Sequence, residues 1–157
     1  MGVSCGPGKV EVKRIFAPAC RPGTAVEVWS VVSSQPVILG TMSYNLAFWM
    51  GGDNDDPGVL YARMNADEPV SDVAPVDHDR VVQAFVEDLA DWSWDGQFLR
   101  PPGVDPGGTP AFDVSIGDQM VEFVGYQFQG ELANRIIDAM NPLGYRLFDP
   151  QTGERFA

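Results

Sequence analysis

Between Ala111 and Asp149 the chain alternates and then changes period. In Phe112-Asp-Val-Ser-Ile-Gly-Asp-Gln-Met-Val-Glu-Phe-Val124 apolar residues recur at every second position on both sides of Gly117-Asp118, the pattern of two half-buried strands and a turn. Gly117-Asp118 has the chemistry of a two-residue hairpin loop, the glycine supplying the positive φ of a type II′ turn. That loop sets Ile116 opposite Gln119, Val114 opposite Val121 and Phe112 opposite Phe123, giving one apolar face; a three-residue loop would oppose Val114 to Glu122 instead. The same register places Asp113 against Glu122, a like-charge pair offset by solvent, an arginine, a metal or the basic surface of a partner. The period then lengthens. Leu132, Ile136 and Met140, with Ala133 and Ile137 on adjoining rows, predict a helix over Gly130–Met140. It ends near Asn141-Pro142, with Gly144 as a left-handed exit. Tyr145–Asp149 is a strand closed by the turn Asp149-Pro150-Gln-Thr-Gly153.

Upstream, Met42–Met50 sets Tyr44, Leu46, Phe48 and Met50 against Asn45, Ala47 and Trp49. Both sets are mostly apolar, which predicts a central strand buried on both faces. Asp56-Pro57 starts a short helix through Met64, with Asp56 as its cap. Asp77 caps a second helix whose stripe is Val81, Val82, Phe85, Val86 and Leu89 and which runs to near Trp92. Residues 93–110 read as a long punctuated loop. Leaving out the short helix, the order is β-α-β-β-α-β. The expected fold class is therefore α+β: a ferredoxin-like sandwich with an extra short helix, its antiparallel sheet covered by helices on one face. An α+β sandwich of other strand order is the alternative.

The length of 157 residues, 45% of them hydrophobic, suffices for one domain with a real core. The net charge of −12 is unevenly spread: residues 1–41 carry +2, and residues 42–157 carry −14 with six arginines, no lysine and no cysteine. Both cysteines, Cys5 and Cys20, precede Met42. We read residues 1–41 as a leader distinct from a single domain over 42–157. It is either upstream sequence translated from an early start codon, the preferred reading, or a flexible arm or extra hairpin. No apolar run spans a membrane and no signal peptide is evident, so a cytoplasmic location is expected.

Met42-Ser-Tyr-Asn-Leu-Ala-Phe-Trp49, Phe112-Asp-Val-Ser115 and Leu147-Phe-Asp-Pro-Gln-Thr-Gly-Glu154 together resemble a family of small uncharacterised bacterial proteins. These open with a Met-Ser-Tyr-Asp-Leu-like strand and close with Asp-Pro-Gln-Thr-Gly. Asn45 stands where the family has Asp. The resemblance covers Met42 to the C-terminus and implies no catalytic residue. By size and charge alone the chain also resembles immunity proteins of bacterial toxin systems.

Candidate chemistry is sparse. Asp53, Asp55 and Asp56 are candidate metal ligands, because hard cations take clustered oxygens. Counted from Asp53, Gly58 matches the sixth place of an EF-hand, but Met64 stands where the closing acid belongs. His78, between Asp77 and Asp79, reads as a solvated residue in a helix cap ahead of a general base. Asp91, Trp92, Trp94, Asp95, Asp113 and Glu122 are candidate partner-binding residues, since aromatic rings among acids suit a protein interface; for the indoles, packing of at least one on the core is the preferred reading. No phosphate loop, dinucleotide fingerprint or metal quartet is present, so no cofactor is expected, and a −14 body disfavours nucleic acid. The leading expectation is a non-enzymatic module that docks a basic protein, such as a toxin or nuclease domain. The alternatives are a small metal-dependent hydrolase using the acidic loop and a ligand-sensing domain.

Overall fold

The computed structural model describes residues 43–156, so the leader, both cysteines and Met42 lie outside the described residues. β1 (Ser43–Trp49) is buried on both faces, as its double apolar pattern requires: Leu46, Ala47, Phe48 and Trp49 are all inaccessible. α1 (Pro57–Asn65) starts where Asp56 Oδ1 accepts the Val59 N–H at 3.0 Å, with Pro57 at the first helical position. α2 (His78–Asp88) is capped by Asp77, which accepts the Arg80 N–H at 3.1 Å. It ends at Asp88, short of Trp92, because Leu89 leaves helical geometry and the Trp92 N–H turns back onto its carbonyl at 2.8 Å.

Part of the expected loop is a hairpin of β2 (Ser93–Trp94) and β3 (Phe98–Arg100). Asp95 and Gly96 close it: Gly96 takes φ +98°, and Asp95 Oδ1 accepts the Gln97 and Phe98 N–H groups at 3.0 and 2.7 Å. Next come β4 (Ala111–Ile116), β5 (Val121–Tyr126) and α3 (Gly130–Met140). A 3₁₀ turn over Asn141–Leu143 exits through Gly144 at φ +90°, as the sequence predicts. β6 (Arg146–Asp149) and β7 (Glu154–Arg155) complete the described chain.

The architecture is α+β. The seven strands form one antiparallel sheet in the order β2-β3-β4-β5-β1-β6-β7, with β1 inside it between β5 and β6. One face packs Leu46, Phe48, Phe112, Val114 and Phe123 against α2 through Val81 and Phe85 and against α3 through Ile136 and Met140. The helical cover is not confined to that face. Ala47, Trp49 and Phe148, which alternation points the other way, meet Leu60 and Met64 of α1 with Val70 and Val73 of the connector. The short helix therefore forms a second layer. α2 is also narrower than its pattern: Val86 is 61% exposed, and Ala84 takes part of the inner stripe instead.

The register of β4 and β5 differs from the expected one. Val114 lies opposite Phe123, Ser115 opposite Glu122 and Asp113 opposite Val124, so Asp113 and Glu122 do not face each other directly. The loop has four residues, closed by the Gly117 N–H on the Met120 carbonyl at 2.9 Å, and Gly117 is not among the positive-φ glycines. The cause lies outside the hairpin. Gln119, which the shorter loop would place in the ladder, is drawn to the connector: its Nε2 donates to the Val70 and Val73 carbonyls, and its Oε1 accepts the Val70 N–H, each at 2.7 Å. A slip of two residues changes partners but not faces, so the apolar face survives.

Candidate functional site

α1 and the connector cover the second sheet face over β1 and β6 and reach as far as Met120 and Glu122 at the start of β5. That face also carries Asn45 from β1, Glu122, Val124 and Tyr126 from β5, Asp113 and Ser115 from β4, and Phe98 from β3. All but the exposed Ser115 are half-buried. Asp113 sits in line with Val124 on one side and Phe98 on the other, a carboxylate between apolar neighbours.

Glu122 is held in place. The Tyr61 hydroxyl donates to its Oε1 at 2.7 Å and Asn45 Nδ2 donates to the same oxygen at 3.2 Å. Oε2 takes no hydrogen bond among the described residues. Burial first, then the hydrogen bond and charge of Glu122, pushes the Tyr61 hydroxyl up to about 12, which fixes it as a donor at neutral pH. Glu122 also lines a cleft of about 290 Å³ between the end of α1 and the β4–β5 loop, with Met64 and Met120 as apolar walls and Asp67, Asp118 and Ser115 as polar ones. Gln119 ties that loop to the connector and so fixes the width of the cleft.

The structure divides the expected partner-binding residues. Asp113 and Glu122 share the open sheet face. Asp95 belongs to the β2–β3 turn, where it accepts from Arg100 Nη1 at 2.6 Å; this bond, with those from the Phe98 and Gln97 N–H groups, lowers its carboxyl to about 2. Asp91 and Trp92 lie elsewhere, after α2. Trp92 is buried in the core, and Asp91 forms a two-pronged ion pair at 3.0 and 2.6 Å with Arg135, whose guanidinium lies 5.4 Å from the Trp92 ring centre. That pair lowers the Asp91 carboxyl. Trp94 is half-buried, edge-on to Phe85.

The acidic loop is not gathered around a common point. Asp53 pairs with Arg146 at 2.9 Å and Arg155 at 3.2 Å, Asp56 caps α1, and Asp55 donates its N–H to the Gly52 carbonyl at 3.3 Å. Among the described residues no group of three or more His, Cys, Asp or Glu is placed to hold a metal ion. His78 is an exposed residue of the first turn of α2.

A polar cluster the sequence did not signal as a unit lies at the other end of β1. Asp149 is buried, accepts the Tyr44 hydroxyl on Oδ2, and accepts the Gln151 N–H on Oδ1 at 2.9 Å. Burial and this carboxylate raise the Tyr44 hydroxyl well above its ordinary range. With its amide oriented by its neighbours, Gln151 donates to the Asn45 carbonyl at 3.0 Å and accepts the Asn45 N–H at 3.1 Å, continuing the ladder where β6 stops. Asp-Pro-Gln-Thr-Gly is thus a structural clamp on β1. No family model matches the chain, and no curated protein matches it in sequence.

Proposed function

We propose that this chain is an acidic, non-enzymatic protein-binding module that docks a basic partner on the open sheet face of β3, β4 and β5. One observation carries the reading. Five of the six arginines after Met42 are consumed by Asp53, Glu68, Asp91 and Asp95, so that Asp113 and Glu122 on the sheet face, like Asp118 in the β4–β5 loop and the acids at the two ends of α2, have no arginine partner among the described residues. Half-exposed Phe98 and Val124 flank Asp113 across the strands, and Val124 and Tyr126 follow Glu122 along β5, the mixture of aromatic and charged surface an interface uses. Opposite charge would speed encounter and make association salt-sensitive.

The partner class that suits such a surface is a toxin or nuclease domain whose basic, nucleic-acid-binding site the module occupies, in keeping with the resemblance to immunity proteins. The order β4-β5-β1-β6, with α2 between β1 and β4 and α3 between β5 and β6, supports a ferredoxin-like core extended by β2, β3 and β7. No helix among the described residues is long and apolar enough to cross a membrane. Affinity capture with the full chain from its native host, at low and high salt, tests the reading. A basic protein retained at low salt, lost at high salt and weakened by Asp113→Asn supports it; recovery of no protein contradicts it.

A further inference from the structure

We infer that the cleft between α1 and the β4–β5 loop is a socket for an arginine side chain of the basic partner. The inference rests on the docking reading above and names its anchor point. The cleft holds about 290 Å³, room enough for one long side chain and at the small end of the range of roughly 300–1,000 Å³ over which ligand sites fall. Met64 and Met120 form its apolar walls, and thioether side chains adapt to an aliphatic stem.

The far end is prepared for a cation. Asn45 and Tyr61, neither of which lines the cleft, fix Glu122 through Oε1, and Oε2 takes no donor among the described residues. Asp67 and Asp118 stand on the rim, and α1 ends there, adding the negative end of its dipole. Arg63 bonds Glu68 at 3.5 Å and the Pro69 carbonyl at 3.1 Å, both on the wall of the cleft, and makes no bond to Glu122, Asp67 or Asp118 among the described residues. Several acceptors set around an apolar slot suit the five-donor fork of a guanidinium better than the point charge of an ammonium.

The test is a titration of the isotope-labelled full chain with N-acetyl-arginine amide, and with the lysine and norleucine analogues, followed by NMR. The expected result is saturable shifts confined to Met64, Met120 and Glu122, strongest for arginine and absent for norleucine. Glu122→Gln keeps an oxygen for Tyr61 and Asn45 and should weaken the arginine probe about tenfold, the worth of one charge-assisted hydrogen bond. Asp118→Asn, at an exposed position, gives a second reading should Glu122→Gln fold poorly. Shifts spread evenly over all surface acids, or equal binding by lysine, overturn the inference. So does occupation of the cleft by a second copy or by residues 1–42 of the same chain. Salt-sensitive capture of a basic partner that neither variant weakens overturns the socket and leaves the docking module standing; a saturable cleft with no captured partner does the reverse.

Discussion

A carboxylate as buried as Asp149 must be surrounded by donors, and the Tyr44 hydroxyl with the Gln151 and Thr152 N–H groups meets that requirement. Asp149→Ala strands those donors at about 1–3 kcal/mol for each that stays buried and should lower the urea midpoint strongly. Val86→Ala, at a position the sequence assigned to the apolar stripe of α2, should change stability by less than about 0.5 kcal/mol because the side chain is exposed. Asp95 gives a pH signature. Its folded carboxyl is lowered to about 2 from 3.8, so its contribution is complete above the unfolded value and is lost as the pH falls from about 4 toward 2. Urea midpoints of Asp95→Asn and the parent chain should therefore differ at pH 6 and draw together as the pH falls from about 4 through 2. Tyr61 runs in the opposite direction. Its hydroxyl is raised, so the stability it brings is complete below pH 10 and lost as the pH climbs toward 12; phenolate absorbance should show that Glu122→Gln makes this tyrosine ionise earlier.

At the scale of elements, what was legible in the sequence depended on how local its cause was. β1, α1, α2 and α3 announce themselves through period and caps: Asp56 with Pro57 and Asp77 act within three residues of the groups they satisfy. β2, β3 and β7 have two or three residues each, too few to display alternation, and they exist because the neighbouring strands accept them. The hairpin register was misplaced for a non-local reason, since Gln119 bonds backbone 46 and 49 residues away. Gln119→Ala should accordingly raise amide exchange at Val70 and within the β4–β5 loop while leaving α3 protected, because the three lost bonds serve the connector alone. The candidate site divides the same way. Alternation assigns Asp113 and Glu122 to one face, but no sequence spacing connects Glu122 with Asn45 or Tyr61, which stand 77 and 61 residues before it.

For the whole molecule the governing quantity is where the −14 of residues 42–157 is left uncompensated. Ion pairs draw the arginines to the acidic loop, the α2–α3 contact and the β2–β3 turn, where Arg100 also lies 5.0 Å from the Phe98 ring centre, and on the sheet face Asp113 and Glu122 keep no arginine partner among the described residues. Trp92, one of the two indoles of which the sequence reading packs at least one on the core, completes that core. The most direct measurement is the affinity of the captured basic partner for two double variants that remove the same charge from different places. One is Asp113→Asn with Glu122→Gln on the sheet face; the other is Glu87→Gln with Asp88→Asn at the exposed end of α2. Docking on the sheet face predicts a loss of tenfold or more, about 1.4 kcal/mol, for the first and little change for the second. Equal losses, or no loss from the first pair, would contradict it.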